Sequence, residues 1–306
     1  MTRPGGLVHH HGHDHGVAGN SRSFALGMVL NLLFLVFEVA FGLRAHSLAL
    51  IADAGHNLGD VLGLGLAWGA TELARRPPTR RHTYGLRRGS ILAALGNALL
   101  LLVAVGGISW EAIQRLMHPQ PVAGGTVMLV AAVGVAVNGL TALLFVAGRR
   151  RDLNVRGAFL HMLSDALVSG GVVLAGIAIQ LTGRAWLDPA VSLAVGVVIV
   201  WGTWSLLKES LRLALDAVPE GIDLPSIEQY LESLPGVTAV HDLHVWAMST
   251  TETALTAHLV KPDARVDDAL LARLARELHD RFGIEHTTIQ LECAEGNCDQ
   301  APANVV

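Results

Sequence analysis

Six apolar runs, each about the length a helix needs to cross a bilayer, fill the first two thirds of this chain. They are expected near residues 23–43, 48–73, 90–113, 122–147, 155–181 and 188–208. Every backbone amide in lipid must be satisfied within its own segment, so such runs form helices and not open strands. The chain has 306 residues, 51% hydrophobic and only 16% charged. That balance is too apolar for an ordinary soluble protein. Residues 1–22 are polar and His-rich and lack the pattern of a secretory signal.

Arginine sets the expected orientation. The loop after the second run carries Arg75, Arg76, Arg80, Arg81, Arg87 and Arg88, and the loop after the fourth carries Arg149, Arg150, Arg151 and Arg156. The opposite loops carry only Arg44, Arg115 and Arg184. Both Arg-rich loops and both termini are therefore expected on the cytoplasmic side. Each cluster abuts the end of a run, which speaks against a nucleic-acid surface. The formal charge of -4 names no partner.

His56-x-x-x-Asp60 and His161-x-x-x-Asp165 repeat one spacing inside the second and fifth runs. Positions i and i+4 share a helix face, so each run points an imidazole and a carboxylate the same way. Two nitrogens and two oxygens suit a tetrahedral ion such as zinc better than magnesium, calcium or manganese. Cadmium and cobalt also fit that donor set. A carboxylate inside a span costs about 2.5–3.5 kcal/mol on insertion scales, so Asp60 and Asp165 need a reason to be there. No His-Glu-x-x-His motif is present, which argues against an intramembrane metalloprotease and for a protein that is not an enzyme.

Other polar residues in the runs read less sharply. Gly55, Gly59 and Gly63 form a small-residue row that admits a close neighbour helix, expected to be the fifth span with Gly157, Ser164 and Ser169. Asp53 is either a partner of His56 or an interfacial carboxylate. Asn31, Glu38 and Asn138 read as lining or as helix–helix hydrogen bonds. Asp188, before Pro189, reads as a cap of the last span.

After Pro219 the pattern changes to a small soluble domain. Helix, strand, strand, helix and strand are expected over 224–234, 236–247, 251–261, 266–282 and 287–292. That α-β-β-α-β order fits a small antiparallel sheet covered by helices. A core of roughly 80 residues is modest, and dimerisation would support it. The domain expectation is thus a His-rich tail (1–22), a six-helix membrane domain (23–213), a cytoplasmic domain (214–293) and a terminal tail (294–306). His9, His10, His11, His13 and His15 could feed zinc to the membrane site or form an inert tail. Cys293 and Cys298 are soft donors near Glu292, equally readable as reduced thiols, and no disulfide framework is implied.

The stretches Ser47-Leu-Ala-Leu-Ile-Ala-Asp-Ala-Gly-His56-Asn-Leu-Gly-Asp60, His161-Met-Leu-Ser-Asp165, Glu111-Ala-Ile-Gln-Arg115, Val240-His241-Asp-Leu-His-Val-Trp246 and Thr288-Ile-Gln-Leu-Glu292 together resemble the cation diffusion facilitators, in the zinc-transporting subgroup. The resemblance runs from about residue 23 to 293. It implies a homodimer in a lipid bilayer, most simply a bacterial inner membrane. Each protomer would have six helices and a metallochaperone-like cytoplasmic domain, and cytoplasmic Zn2+ would be exchanged for external H+. Carried over by position, the transport ligands are His56, Asp60, His161 and Asp165. A tail zinc site, with zinc also a regulatory ligand, would use His241, His258 and Glu292, with His244 and His286 close in sequence. A loop site found in some members would have only His82 here.

Overall fold

A computed structural model describes residues 21–146, 153–262 and 268–293. The N-terminal histidines, Arg149–Arg151 and Cys298 lie outside the described residues. Six long helices come first: α1 (Ser21–Ala45), α2 (Leu48–Ala74), α3 (Gly89–Met117), α4 (Gly124–Phe145), α5 (Leu153–Thr182) and α6 (Leu187–Ala214). Among the described residues, α3, α4, α5 and α6 contain stretches long and apolar enough to cross a membrane. The smaller elements follow: α7 (Leu224–Glu232), β1 (Ala239–Ala247), β2 (Thr253–Val260), α8 (Asp268–Phe282) and β3 (His286–Glu292).

The helix ends have local causes. Pro77 and Pro78 follow α2, and Pro119 and Pro121 follow α3; proline removes an amide donor and cannot continue a helix. Gly183 stops α5 with φ +63°, its amide donating to Ile179 O at 2.8 Å. That left-handed cap is open to glycine at no steric cost. Both α3 and α6 run several residues past the apolar stretches, to Met117 and Ala214. Good helix formers such as Gln114, Arg115, Lys208 and Glu209 extend them beyond what an apolar pattern marks.

Residues divide into two compact units. The first joins the chain up to Asn57 with Ile108–Val195. Within it α4 lies along α5 and also packs on α1. The turn between α1 and α2 is pinned from two sides. Arg115 Nη1 donates to the His46 carbonyl at 2.6 Å, and Arg115 is itself braced by Glu111 at 2.9 Å. On the other side Asp188 accepts from Leu48 N at 2.6 Å and from the Ser47 hydroxyl. Asp188 thus caps α2, and the expectation that it caps its own helix is corrected. Its carboxylate satisfies amides at the start of α2 that have no intrahelical partner.

The glycine row corrects a second expectation. A Cβ at Gly55 would meet Ile108 at 3.5 Å, one at Gly59 would meet Leu101 at 2.1 Å and one at Gly63 would meet Asn97 at 2.9 Å. All three partners lie on α3, so the row admits α3 and not α5. Descending partner numbers against ascending glycines are what an antiparallel neighbour gives.

The second unit joins Leu58–Gly107 with Gly196–Val306. Its sheet has the order β1-β2-β3. The α-β-β-α-β succession is as expected, but the sheet is mixed: β1 pairs antiparallel with β2, while β3 runs parallel to β2. The crossover through α8 returns the chain to start β3 at the same end as β2, which a tight hairpin could not do. Ile227 and Leu231 of α7, Leu255 and Leu259 of β2, and Leu274 and Leu278 of α8 are fully buried together. Each such side chain contributes about 1.5–3 kcal/mol relative to exposure. The α2–α3 loop reaches this domain. Arg87 pairs with Glu252 at 2.8 Å, Arg88 with Asp216, and Thr250 N donates to Ser90 Oγ at 3.1 Å.

Candidate metal centres

The long helices bring the sequence pairs together where both partners fall in one unit. Asp165 on α5 is 2% exposed. His56 Nε2 on α2 lies 3.2 Å from Asp165 Oδ1, and His161 Nε2 lies 3.6 Å from Asp165 Oδ2. The two imidazole centroids are 6.3 Å apart and nearly perpendicular. One carboxylate therefore sits between two imidazoles, one from each helix. Asp60 follows His56 by one turn of α2 and is half-buried. Ligand groups from two helices at this spacing match the donor chemistry of a tetrahedral zinc ion.

The polar residues around this centre have partners that the sequence left open. Asp53 accepts from Ser169 Oγ on α5 at 2.9 Å. Glu38 Oε2 accepts from Asn57 Nδ2 at 3.0 Å. Asn31 Nδ2 contacts Met162 Sδ at 3.3 Å, and Asn138 is buried in α4.

A second cluster lies on the sheet. The antiparallel register sets His241 opposite His258, and the parallel register sets Glu292 beside Val260, two residues on from His258. Ligand atoms of His241, His258 and Glu292 all fall within 4.8 Å of one another. Glu292 reaches both rings, His241 Nε2 at 3.0 Å and His258 Nδ1 at 3.1 Å. Its two oxygens thus orient two imidazoles, as a carboxylate does beside a metal.

Asp242 belongs to this cluster and was not singled out from the sequence. The register breaks between His241 and His244, and Asp242 takes φ +51° there. Asp tolerates that left-handed conformation better than most residues. Its carboxylate lies 3.3 Å from His258 Nε2 and 2.8 Å from His244 Nε2. The bulge re-aims it toward the histidines. The available signal was its place between His241 and His244 in one short strand.

The weaker candidates separate. His244 joins through Asp242. His286 is exposed and packs edge-on against Tyr84 of the α2–α3 loop, centroids 5.5 Å apart. His82 is exposed in that loop, its amide bonded to Thr79 Oγ1 at 3.1 Å. Cys293 is exposed just past the end of β3.

Residues 25–213 match the cation efflux transmembrane domain and residues 219–294 match the cation efflux protein cytoplasmic domain. Curated relatives align over nearly the whole chain. The metal cation efflux system protein CzcD of Cupriavidus metallidurans is 40% identical, over 96% of this chain and 92% of its own. The zinc transporter ZitB of Escherichia coli is 38% identical, over 94% and 93%. The cadmium, cobalt and zinc/H(+)-K(+) antiporter of Bacillus subtilis is 33% identical, over 95% and 94%. These relatives are transporters and not enzymes. With both its membrane and its cytoplasmic parts matched, the chain belongs to the cation efflux, or cation diffusion facilitator, family.

Proposed function

We propose that this protein exports Zn2+ from the cytoplasm in exchange for external protons, with Cd2+ and Co2+ as further cargo. The observation that carries the reading is Asp165, a buried carboxylate held between His56 and His161. His56, Asp60, His161 and Asp165 are the transport ligands. All six long helices cross a bacterial inner membrane, with both termini in the cytoplasm. The relatives, a zinc transporter and a cadmium, cobalt and zinc/H(+)-K(+) antiporter among them, support the cargo and the counter-ion.

The chemistry follows from linkage. Imidazole and carboxylate must be unprotonated to bind zinc, so binding releases protons and proton supply expels the ion. Facing a near-neutral cytoplasm, the four ligands take zinc. Facing a more acidic exterior, protons compete and zinc leaves. Rocking of the helix bundle alternates the two exposures. Two carboxylates roughly neutralise the dication, which lowers the cost of holding it in a low-dielectric region.

In the tail, His241, His258, Glu292 and Asp242 offer a nitrogen and oxygen set that fits zinc. Zinc there joins two protomers' tails in a homodimer and biases the helix-bundle states, a shift that needs only differential affinity. The deciding experiment is zinc uptake into liposomes under an imposed pH gradient, wild type against Asp165→Ala. Uptake by the wild type that the variant loses supports the reading. Equal uptake by both removes the ligand assignment.

A further inference from the structure

One carboxyl pair lies in the helix bundle apart from the four proposed ligands. Glu38 on α1 and Asp53 on α2 are 0% and 1% exposed. Their carboxyl groups lie within hydrogen-bonding reach of each other. Asn57 holds one oxygen of Glu38 and Ser169 holds one oxygen of Asp53. The other oxygens, Glu38 Oε1 and Asp53 Oδ1, are buried, and among the described residues nothing donates a hydrogen bond to them. Two ionised carboxylates are acceptors only and repel each other. A buried acceptor left without a donor is destabilising, more so when it is charged. A single proton shared by the pair turns that repulsion into a hydrogen bond.

We propose that Glu38 and Asp53 bind one proton between them, as a proton site beside the zinc ligands that zinc binding empties and zinc release refills. The inference rests on the reading of His56 and Asp165 as zinc ligands. Asp53 precedes His56 by three residues on α2, and Ser169 follows Asp165 by four on α5. His56 and Asp165 are the titratable groups within electrostatic range of Asp53 besides Glu38. Asn57 and Ser169 are uncharged, and α4, which packs on α1 and α5, carries no titratable residue. The step balances: one Zn2+ arrives, one H+ leaves the pair to water, and the pair passes from one negative charge to two. The added negative charge is stabilised by the dication nearby. When zinc departs, the buried pair is again two neighbouring carboxylates without the dication's charge and takes a proton back.

The test counts protons released per zinc bound by the purified full-length protein, from calorimetric zinc titrations in buffers of different ionisation enthalpy. Glu38→Gln and Asp53→Asn are each expected to keep zinc binding and to release about one proton fewer per zinc than the wild type. An unchanged proton count in a variant that binds zinc overturns the proposal. A direct reading on the wild type needs no variant to fold. The infrared carbonyl absorption of a protonated carboxyl should be present without zinc and lost on adding it, and its persistence overturns the proposal. Asp165→Ala in the same titrations separates the two readings. Loss there of the membrane-site zinc, leaving only the tail site filled, with an unchanged proton count in Glu38→Gln, leaves the zinc ligands standing and removes only the proton pair.

Discussion

Asp188 caps a helix other than its own: from the first turn of α6 its carboxylate accepts the Leu48 amide at 2.6 Å, 140 residues back in the chain. The Ser47 hydroxyl donates to the same carboxylate and in turn accepts the Leu50 amide at 3.2 Å. The start of α2 is therefore fixed by a group on α6, and α2 carries His56 and Asp60. Removing the carboxylate strands buried donors, at a cost of about 1–3 kcal/mol. Asp188→Ala is expected to lower the thermal unfolding midpoint of the solubilised protein, and Asp188→Asn to lower it less, since an amide oxygen still accepts. Equal midpoints for Asp188→Ala and wild type would show that water satisfies the end of α2 unaided.

The pairing of His56 with Asp165 predicts how selectivity responds to a changed donor. Imidazole favours zinc over harder ions that prefer oxygen. His56→Asp replaces one nitrogen by oxygen beside a carboxylate already in place. Uptake competition in liposomes should then show weaker discrimination of zinc against manganese, with zinc still carried. If wild type and variant rank the ions alike, the imidazole at 56 does not set selectivity.

What could be read from the sequence, and what could not, divides along the range of the interaction. His56 and Asp60, and His161 and Asp165, declare themselves because a helix converts a spacing of four into a shared face. The tail's order of elements was legible for the same local reason: apolar periodicity marked α8 through Leu274 and Leu278. Strand direction was not, since β3 lies parallel to β2 only because α8 carries the chain back across the sheet. Nor was Asp242 legible, because its aim depends on a bulge and a left-handed backbone. Asp188 misled because a cap looks local and here it serves another helix. The glycine row marks a close neighbour helix but carries nothing that says which one, and the neighbour is α3 and not α5.

The tail cluster predicts a graded response. Glu292 touches both His241 and His258, while Asp242 touches His258 and His244. Glu292→Ala should therefore weaken tail zinc binding more than Asp242→Ala, because it removes a group shared by both facing imidazoles. Losing a group that orients a ligand typically costs about 10–100-fold in metal affinity. Titration of zinc into full-length protein carrying Asp165→Ala isolates the tail site for this comparison. Transport by proteins altered only in the tail should persist in part, because the membrane ligands are intact. A larger loss for Asp242→Ala than for Glu292→Ala would place the metal on the Asp242 side of His258.

Tyr230 gives the cytoplasmic domain a defined alkaline limit. Its hydroxyl donates to Glu277 Oε2 at 2.6 Å, tying α7 to α8, while Arg281 lies 4.6 Å from the ring centre. Burial, and then the Glu277 bond and charge, push the phenol up to about 12 from its ordinary value near 10. A folded-state value above the unfolded one stabilises the fold fully below the unfolded value. That contribution is lost as pH rises through the folded value. Tyr230→Phe removes the titrating group together with its hydrogen bond, worth about 1.5–3 kcal/mol when one partner is charged. At pH 8 the wild type should therefore unfold at a higher temperature than Tyr230→Phe. Between pH 10 and 12 the gap should close, as the wild type alone must give up its hydroxyl proton beside the Glu277 carboxylate. A gap that stays constant across that window would show that the wild type's advantage over Tyr230→Phe does not depend on the Tyr230 hydroxyl proton.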